Sequence, residues 1–515
     1  MATDVTVIKI LKQSAKFSAV NLFSKIISFP VGIITAMILI PTEYGVIGFV
    51  GLWGMYAGLI NPGMDSAAQR EMPYLLGKEE EKKALHLQNI AITSKFMYSF
   101  FPFLVMLCAS FFYSDDLIRI GLILTAIQYI ISTNTNYWSG FNHVRQRFNK
   151  VATGNLIQAI VVPLVTLSLI FWLKIYAVLI APIIGAIFTF VYYVKYAGIN
   201  YHFELDWSEI VRLIKIGLPL VLLTLVYWGY RMADRTMVAA FLPLHEMGLY
   251  TYAIGMVTFA IQLFADFGNV LQPVLWTSLG QVKNHIEGFK PLYRIAVYMS
   301  IAAAVSIGIF QIGFYLLVHL LTTNYVESIP IFNVLTFNIF LMAITIVPNL
   351  VLNSSVVNKQ TLNTKIWSIG LILNIILDYI VIKMGFGVIG VSWVTIGTQG
   401  LVTLILFFTV RQYMFYDTKE FTKFMKSIFF PPLISFLLYL ISIFFEGKIQ
   451  DIYLYSTCSL IFFGLVWMIV LKVFYREYFP KEQLINIWRE GVALCKSEIV
   501  KHRGALSAAM VKLNR

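Results

Sequence analysis

The sequence predicts an all-α polytopic membrane protein with about fourteen transmembrane helices. Of its 515 residues, 59% are hydrophobic and only 13% are charged, whereas soluble domains contain about 25% charged residues. The apolar residues form blocks of about 20, the length that an α-helix needs to cross the hydrocarbon core of a bilayer. Because a helix satisfies its backbone hydrogen bonds internally, each block is predicted to be one helix.

The predicted spans form two sets of six, followed by two further helices. Charged residues, proline and glycine separate the blocks. The first set comprises 17–40, 45–62, 90–113, 117–138, 153–173 and 175–195, the second 216–241, 248–276, 292–321, 329–352, 366–383 and 386–410, and the last pair 428–445 and 452–474.

The distribution of basic residues predicts that both termini are cytoplasmic. With the N-terminus inside, the inner connections contain most of the 39 Lys and Arg residues, in keeping with the positive-inside rule. The outer connections are short and contain Arg119, Lys174, Lys383 and Lys448. The formal charge of +13 therefore reflects topology. No basic motif indicates nucleic acid as a partner.

Two similar joints indicate an internal duplication. Pro41-Thr-Glu-Tyr-Gly45 joins the first two spans, and Leu244-His-Glu-Met-Gly248 has the same place in the second set. Both sets begin inside, so they are predicted to be parallel repeats about an axis along the membrane normal. The predicted organisation is an N-terminal six-helix lobe, an amphipathic cytoplasmic linker, a C-terminal six-helix lobe, two extra helices and a basic cytoplasmic tail, at 1–196, 197–215, 216–411, 412–475 and 476–515.

Four short motifs lie in a characteristic order along the chain. They are Glu43-Tyr-Gly45, Gly217-Leu-Pro219, Asp234-Arg235, and Asn374 followed by Gly387-Val-Ile-Gly390. In this order they resemble the Wzx-type polysaccharide flippases of the multidrug/oligosaccharidyl-lipid/polysaccharide (MOP) exporter superfamily. The resemblance implies a bacterial inner-membrane protein that exports undecaprenyl-diphosphate-linked oligosaccharides for O-antigen, capsule or exopolysaccharide. It implies membrane lipids as partners, and other polysaccharide assembly proteins as candidate partners.

One predicted span contains a stripe of charges. Arg231, Asp234 and Arg235 stand at i, i+3 and i+4 and therefore share one helical face. A structural ion pair between Asp234 and one arginine would explain part of the stripe. Two arginines and one aspartate still leave an excess cation, which suits a diphosphate because a guanidinium presents paired donors to phosphate oxygens.

The first span contains a comparable polar stripe with Asn21 and Lys25. Lys25 is predicted to face Arg231 and Arg235 across a cationic cleft between the lobes, unless it bonds to backbone carbonyls or extends to the interface. Arg70 follows the second span and is a candidate for substrate contact or for a vestibule. Lys95, near the inner end of its span, is expected to extend toward the interface.

Other spans contain acidic residues beside amides. Gln262 aligns with Asp266, and Asn374 aligns with Asp378. Such residues bond neighbouring helices together, or they serve a coupling ion, either a proton or Na⁺, as in many transporters. No resident metal or other cofactor is predicted.

Transport by alternating access is the leading hypothesis, with three alternatives. A multidrug exporter of organic cations would favour an acidic, aromatic cleft, and the arginine excess argues against it. A polymerase or glycosyltransferase acting on lipid-linked sugars would use long external loops, which the pattern lacks. A structural scaffold would have no reason to bury charges. No motif for nucleotide hydrolysis or metal catalysis is present, so the protein is not expected to be an enzyme.

Overall fold

The computed structural model describes residues 23–145, 147–196, 201–279, 285–354, 356–446, 448–449, 451–475 and 477. This part of the chain is helical and contains no β-strand, which confirms the predicted fold class. Asn21, part of the predicted linker and the basic tail beyond 477 lie outside the described residues.

The helices follow one another with short connections. They are α1 Phe23–Ile38, α2 Pro41–Leu59, α3 Met64–Gly77, α4 Glu81–Ser110, α5 Asp116–Val144, α6 Phe148–Leu173, α7 Ile175–Tyr196, α8 Trp207–Phe241, α9 Leu244–Leu279, α10 His285–Leu320, α11 Ser328–Leu335, α12 Phe337–Leu352, α13 Gln360–Lys383, α14 Gly387–Met414, α15 Thr418–Glu446 and α16 Ile452–Phe474. We call α1–α7 the N-terminal lobe and α8–α14 the C-terminal lobe.

Among the described residues, eleven helices are long and apolar enough to cross a membrane, or up to twelve if α2 and α3 are one bent span. The axes of these two helices differ by 50°. The bend lies at Gly63, whose φ of 86° is a left-handed conformation that glycine adopts without strain. The predicted number of about fourteen spans stays a prediction.

The two lobes meet closely where α2 and α9 begin. A Cβ atom added to Gly45 would lie 2.0 Å from the carbonyl oxygen of Leu244, and one added to Gly248 would lie 1.7 Å from that of Pro41. Only glycine permits so close an approach of two backbones. The contact is reciprocal, as a two-fold relation requires, and it joins the two joints whose similarity predicts the duplication.

Further contacts between the lobes surround this glycine pair. The Tyr325 hydroxyl donates a 2.9 Å hydrogen bond to the carbonyl oxygen of Leu39. The ring of Tyr44 packs edge-on against Tyr252 and Tyr325, at 5.8 and 5.9 Å between centroids. Since α1 and α2 meet here, the predicted cytoplasmic termini would place this end of the lobes on the outer side.

Helix α8 belongs to both lobes. Asp206 caps its start and accepts hydrogen bonds from the backbone N–H groups of Ser208 (2.9 Å) and Glu209 (3.2 Å). Ile210 and Leu213, within the predicted linker, are buried in the core of the N-terminal lobe. Beyond Gly217 the helix packs against α13 instead.

Contacts at the opposite end of the lobes join α3 to α8. The backbones of Gly63 and Gly217 approach so closely that a Cβ on Gly217 would lie 1.9 Å from the Gly63 carbonyl oxygen. The Arg212 guanidinium donates to both carboxylate oxygens of Glu71, at 2.9 and 2.6 Å. The hydrogen bond to Glu209 and then that to Glu71 raise the pKa of Arg212 above its usual value. These contacts fix the start of α8 against the N-terminal lobe, from which the helix crosses to the C-terminal lobe.

The chain divides into two compact units at Leu437 and Leu438. The first contains both lobes and the start of α15. In the second, the Tyr455 hydroxyl of α16 bonds to the carbonyl oxygen of Ser442 in α15 at 3.3 Å. The rings of Phe463 and Trp467 lie 6.2 Å apart within α16.

Candidate substrate-binding and ion-coupling sites

The arginines of α8 lie about halfway through the predicted hydrocarbon layer. Arg231 is ten residues from the end of α8 at Phe241, which is about 15 Å at 1.5 Å per residue. Its guanidinium carbon lies 5.4 Å from the centroid of the Trp228 ring and 5.8 Å from that of Tyr227. These cation–π contacts hold the guanidinium over the aromatic rings without neutralising its charge.

Arg235, one turn farther along α8, is also half-buried. Its Nε atom is buried and has no hydrogen-bond partner among the described residues. Within the described part of the chain, no carboxylate forms an ion pair with Arg231 or Arg235. Each arginine is therefore a half-buried cation that an anionic ligand could neutralise.

Asp234 forms no ion pair with either neighbouring guanidinium group, although it is close enough for its charge to act on that of Arg235. Its buried carboxylate accepts hydrogen bonds from the Tyr250 hydroxyl and, at 2.7 Å, from the backbone N–H of Arg235. The ion-pair interpretation of the stripe predicts a direct contact with an arginine side chain, and Asp234 forms none within 4.0 Å. The stripe therefore carries two unpaired guanidinium groups.

Lys25 and Asp266 form an ion pair between the lobes. Lys25 lies on α1, and Asp266 lies on α9, where the Gln262 amide also donates to it at 3.5 Å. The side chains of Lys25 and Asp266 are 20% and 33% exposed. The structure thus places Lys25 against an acid of the opposite lobe, with its charge compensated. The sequence predicts that Lys25 faces Arg231 and Arg235 as a further free cation, whereas in this conformation Lys25 is paired with Asp266.

Arg70, the remaining candidate cation, is exposed on α3. It forms no hydrogen bond or ion pair with any described residue. The bend at Gly63 separates its helix from α2. The structure does not join Arg70 to the other candidate cations.

Asn374 and Asp378 lie one turn apart in the core of the C-terminal lobe. Asp378 is 0% exposed, and neither carboxylate oxygen has a hydrogen-bond partner among the described residues. The Asn374 amide donates to the Thr398 hydroxyl at 3.3 Å, and the Tyr230 hydroxyl lies 3.3 Å from the same oxygen. Asp234 is close enough for its charge to act on Asp378. Three predicted residues of α8 and α13 therefore share one buried polar cluster.

Helix α14 supplies polar residues that the sequence analysis does not identify. Thr398 belongs to the cluster around Asn374, and Gln399 is fully buried beside Thr345 and Thr403, 3.4 Å from each hydroxyl. Thr395, Thr398 and Gln399 stand at i, i+3 and i+4. This helical spacing is a signal that could have identified the polar face of α14.

Lys95, which the sequence analysis expects to extend toward the interface, is instead buried in a polar network of the N-terminal lobe. Lys95 is 7% exposed, and its ammonium donates to the Tyr98 hydroxyl at 2.5 Å and lies 5.2 Å from the ring centroid of Tyr137. Tyr98 bonds to Asn61 at 3.2 Å, and Asn61 bonds to Asp65 at 3.0 Å. Lys95 therefore lies in a buried network beside the bend between α2 and α3.

The fold and these sites define a class of protein. Two helical lobes meet at a reciprocal glycine contact and contain half-buried cations and buried carboxylates, and such charges within membrane spans are typical of transporters. The chain belongs to the polysaccharide biosynthesis protein family, whose model matches residues 34–330. No curated protein sequence matches the chain.

Solved structures share the fold over most of the chain. The lipid II flippase MurJ in an inward closed conformation has a TM-score of 0.65 and 15% identity, covering 90% of this chain and 99% of that one. An inward-facing multidrug resistance MATE family transporter of the MOP superfamily has a TM-score of 0.64 and 11% identity, covering 78% and 96%. A MOP superfamily transporter from Pyrococcus furiosus, described as having a binding pocket of reverse polarity, has a TM-score of 0.57 and 12% identity, covering 78% and 94%.

These structures confirm the predicted MOP-like fold, and the family model confirms the link to polysaccharide biosynthesis. At these identities the likeness to each solved structure concerns the fold alone. The substrate must be argued from the residues of this chain.

Proposed function

We propose that this protein is a flippase that moves undecaprenyl-diphosphate-linked oligosaccharide from the inner to the outer leaflet of the bacterial inner membrane. The product serves the synthesis of O-antigen, capsule or exopolysaccharide. Both termini lie in the cytoplasm, and the lobes give access to the two sides in turn.

The observation that carries this proposal is the pair of guanidinium groups on α8 that form no ion pair with any described carboxylate. Placing a cation at the centre of a bilayer costs about 2.5–3.5 kcal/mol on insertion scales, so two such groups require a reason. A diphosphate is a suitable partner, because each guanidinium can form two parallel charge-assisted hydrogen bonds to its oxygens. The prenyl chain can stay in lipid while the head group lies against Arg231 and Arg235.

Contacts between the lobes support alternating access. The glycine pair closes the lobes around Gly45 and Gly248, and at the opposite end Gly63 lies against Gly217, where α8 crosses from one lobe to the other. The pair of Lys25 and Asp266 also spans the lobes. Opening either end breaks some of these contacts and retains others. Separation of α1 from α9 would release Lys25 for the substrate anion.

Reconstitution of the full-length protein tests the proposal directly. Protein-containing liposomes are expected to transfer the lipid-linked oligosaccharide between leaflets, whereas protein-free liposomes retain it. The probe is the lipid extracted from cells depleted of the protein, and a sugar-cleaving enzyme added outside measures its arrival. Depletion should cause this lipid to accumulate on the inner leaflet. Absence of both accumulation and transfer would contradict the assigned function.

We further propose that the buried cluster of Asp234, Asn374 and Asp378 couples transport to a proton or Na⁺. The fully buried carboxylate of Asp378, without a hydrogen-bond donor among the described residues, supports this role, because an uncompensated buried carboxylate is costly unless it binds a cation or a proton. Helix α8 contains both Asp234 and the arginines, so occupancy of the cluster can affect the substrate site.

Asp378→Asn is expected to remove the acceleration of transport by an imposed gradient of one of these ions. Slow exchange without a gradient should persist, because Arg231 and Arg235 are retained. The measurement is the transfer rate in proteoliposomes with a proton gradient, a Na⁺ gradient or neither. The control is Asn338→Ala, in neighbouring α12, which reports the effect of altering a buried amide. Asn338→Asp is not suitable because it buries a new charge. A gradient response that survives in Asp378→Asn would exclude this residue from coupling.

A further inference from the structure

A cavity of about 490 Å³ lies in the C-terminal lobe between α8, α12 and α13. It is located where α12 ends and α13 begins, the end that the charge distribution assigns to the cytoplasm. Its volume is in the range of about 300–1,000 Å³ that is usual for small-molecule sites. The described lining residues are amides, hydroxyls and two aromatic rings, and none of them is Lys, Arg, Asp or Glu.

The amides of the cavity are held in place by one another. The Asn363 amide donates to the side-chain oxygen of Asn353 at 3.1 Å, and the Trp367 indole donates to that of Asn349 at 3.4 Å. The side-chain oxygen of Asn363 is buried and has no hydrogen-bond partner among the described residues. A buried acceptor of this kind is costly unless a ligand or water bonds to it.

The cavity begins beside the proposed diphosphate site. Tyr227 lines the cavity, and its ring lies 5.3 Å from that of Trp367. The guanidinium carbon of Arg231 lies 5.8 Å from the centroid of the same Tyr227 ring. A ligand whose phosphate is bound by Arg231 can therefore place its adjoining group in the cavity.

The chemistry of the lining selects a neutral and strongly polar ligand. A hydrocarbon chain would leave the amides without hydrogen bonds, and a phosphate would find no cation among the lining residues. Sugar hydroxyls both donate and accept, and therefore match asparagine and glutamine side chains. The apolar face of a pyranose ring can pack on the Tyr227 ring.

From this arrangement we infer that the cavity is the subsite for the first sugars of the lipid-linked oligosaccharide. The inference rests on the proposed flippase function and assigns separate binding roles to two groups of residues. Arg231 and Arg235 bind the diphosphate that all such lipids share, and the amides of α12 and α13 recognise the sugar. A site built to bond hydroxyl groups discriminates strongly against ligands that lack them.

Binding of two lipids to the full-length protein in nanodiscs tests this subsite. One probe is undecaprenyl diphosphate, and the other is the same lipid carrying the oligosaccharide, extracted from cells depleted of the protein. Asn363→Ala is expected to weaken binding of the sugar-bearing lipid about 5- to 30-fold, the effect of one or two lost hydrogen bonds. Its affinity for undecaprenyl diphosphate should not change.

A second variant keeps the test independent of folding. The double variant Gln360→Ala/Thr364→Ala replaces two lining residues near the start of α13. Alanine is a good helix former, so the helix should be retained. Thr361→Ala is the matched control, since Thr361 is exposed on the same helix and does not line the cavity. The double variant should lower affinity for the sugar-bearing lipid at least 5-fold, while the control matches the wild type.

The results separate failure of the subsite from failure of the function. Equal affinity of the wild type for both lipids, or equal weakening of both by the cavity variants, would overturn the sugar subsite. Failure of the wild type to bind either lipid would instead overturn the flippase proposal. Both proposals are supported if Arg231→Gln weakens the binding of both lipids and the cavity variants weaken the binding of the sugar-bearing lipid only.

Discussion

Replacement of Arg231 and Arg235 by Gln is expected to reduce lipid transport about 10- to 100-fold for each variant. A hydrogen bond to a charged group contributes about 1.5–3 kcal/mol, and about 1.4 kcal/mol corresponds to a tenfold change. Glutamine keeps much of the side-chain volume but loses the charge and the paired donors. The measurement is the transfer rate in proteoliposomes, together with the amount of intermediate on the inner leaflet of cells.

Arg119→Gln is the control for this prediction. Arg119 forms an exposed ion pair with Asp116 on α5, at 2.6 Å, and exposed pairs contribute little. Replacement by lysine at 231 and 235 should cause a smaller loss than replacement by glutamine, because it retains charge without the fork of donors. Wild-type transport in both glutamine variants, at normal protein levels, would refute the assigned diphosphate site.

Lys25 is expected to behave differently from the arginines. Lys25→Gln leaves Asp266 without its ionic partner, so the variant alters the contact between the lobes as well as any contact with the substrate. Addition of Asp266→Asn removes this imbalance. Recovery of transport in the double variant would show that Lys25 acts through the ion pair, and a persistent loss would show that it acts on the substrate.

Gly248→Ala is expected to separate the lobes at the end that contains the glycine pair and to impair transport. The added Cβ would lie 1.7 Å from the Pro41 carbonyl oxygen, so α2 and α9 must move apart. Overpacking of this kind costs about 1–3 kcal/mol, which corresponds to about a 5- to 150-fold shift toward the open arrangement. Gly45→Ala should act similarly, because its contact is the reciprocal one.

Cysteine labelling measures this opening. Leu39 is fully buried beside the glycine pair, so Leu39→Cys should react slowly with an impermeant maleimide in the otherwise wild-type protein. The native cysteines at 108, 458 and 495 are first replaced by serine. Labelling should accelerate in Gly248→Ala.

Gly255→Ala and Gly51→Ala are the matched controls on the same two helices. A Cβ at either position meets no heavy atom within 4 Å. Each substitution should leave labelling unchanged and raise stability slightly, since alanine is favoured over glycine in helices. Equal labelling of Gly248→Ala and Gly255→Ala would show that the glycine contact does not keep the lobes closed.

Composition was sufficient to predict the fold class, because the need to satisfy backbone hydrogen bonds in lipid restricts a long apolar block to a helix. The joints at Pro41–Gly45 and Leu244–Gly248 predict duplication, and the structure shows these segments in direct contact. What a linear pattern did not reveal is that α8 passes from one lobe to the other, since Trp207 to Lys215 read equally well as a surface helix.

The candidate site was predicted only in part. Helical spacing placed Arg231, Asp234 and Arg235 on one face, because that relation is local to a single helix. Pairings between distant segments were not predictable: Lys25 meets Asp266 across 241 positions, and Asp234 bonds to the Tyr250 hydroxyl instead of an arginine side chain. The polar residues of α14 were overlooked because uncharged threonines are common in spans and their neighbours are unknown until the helices pack.

The sequence alone determined that this protein is a helical membrane protein, and it predicts two similar halves and charges within the spans. Those properties depend on the cost of transferring apolar, polar and charged groups between water and lipid, which each segment carries by itself. Only the tertiary structure decided which cations are compensated, where the glycines meet and where the amide-lined cavity lies. Such features depend on distances between helices far apart in the chain, and packing alone sets those distances.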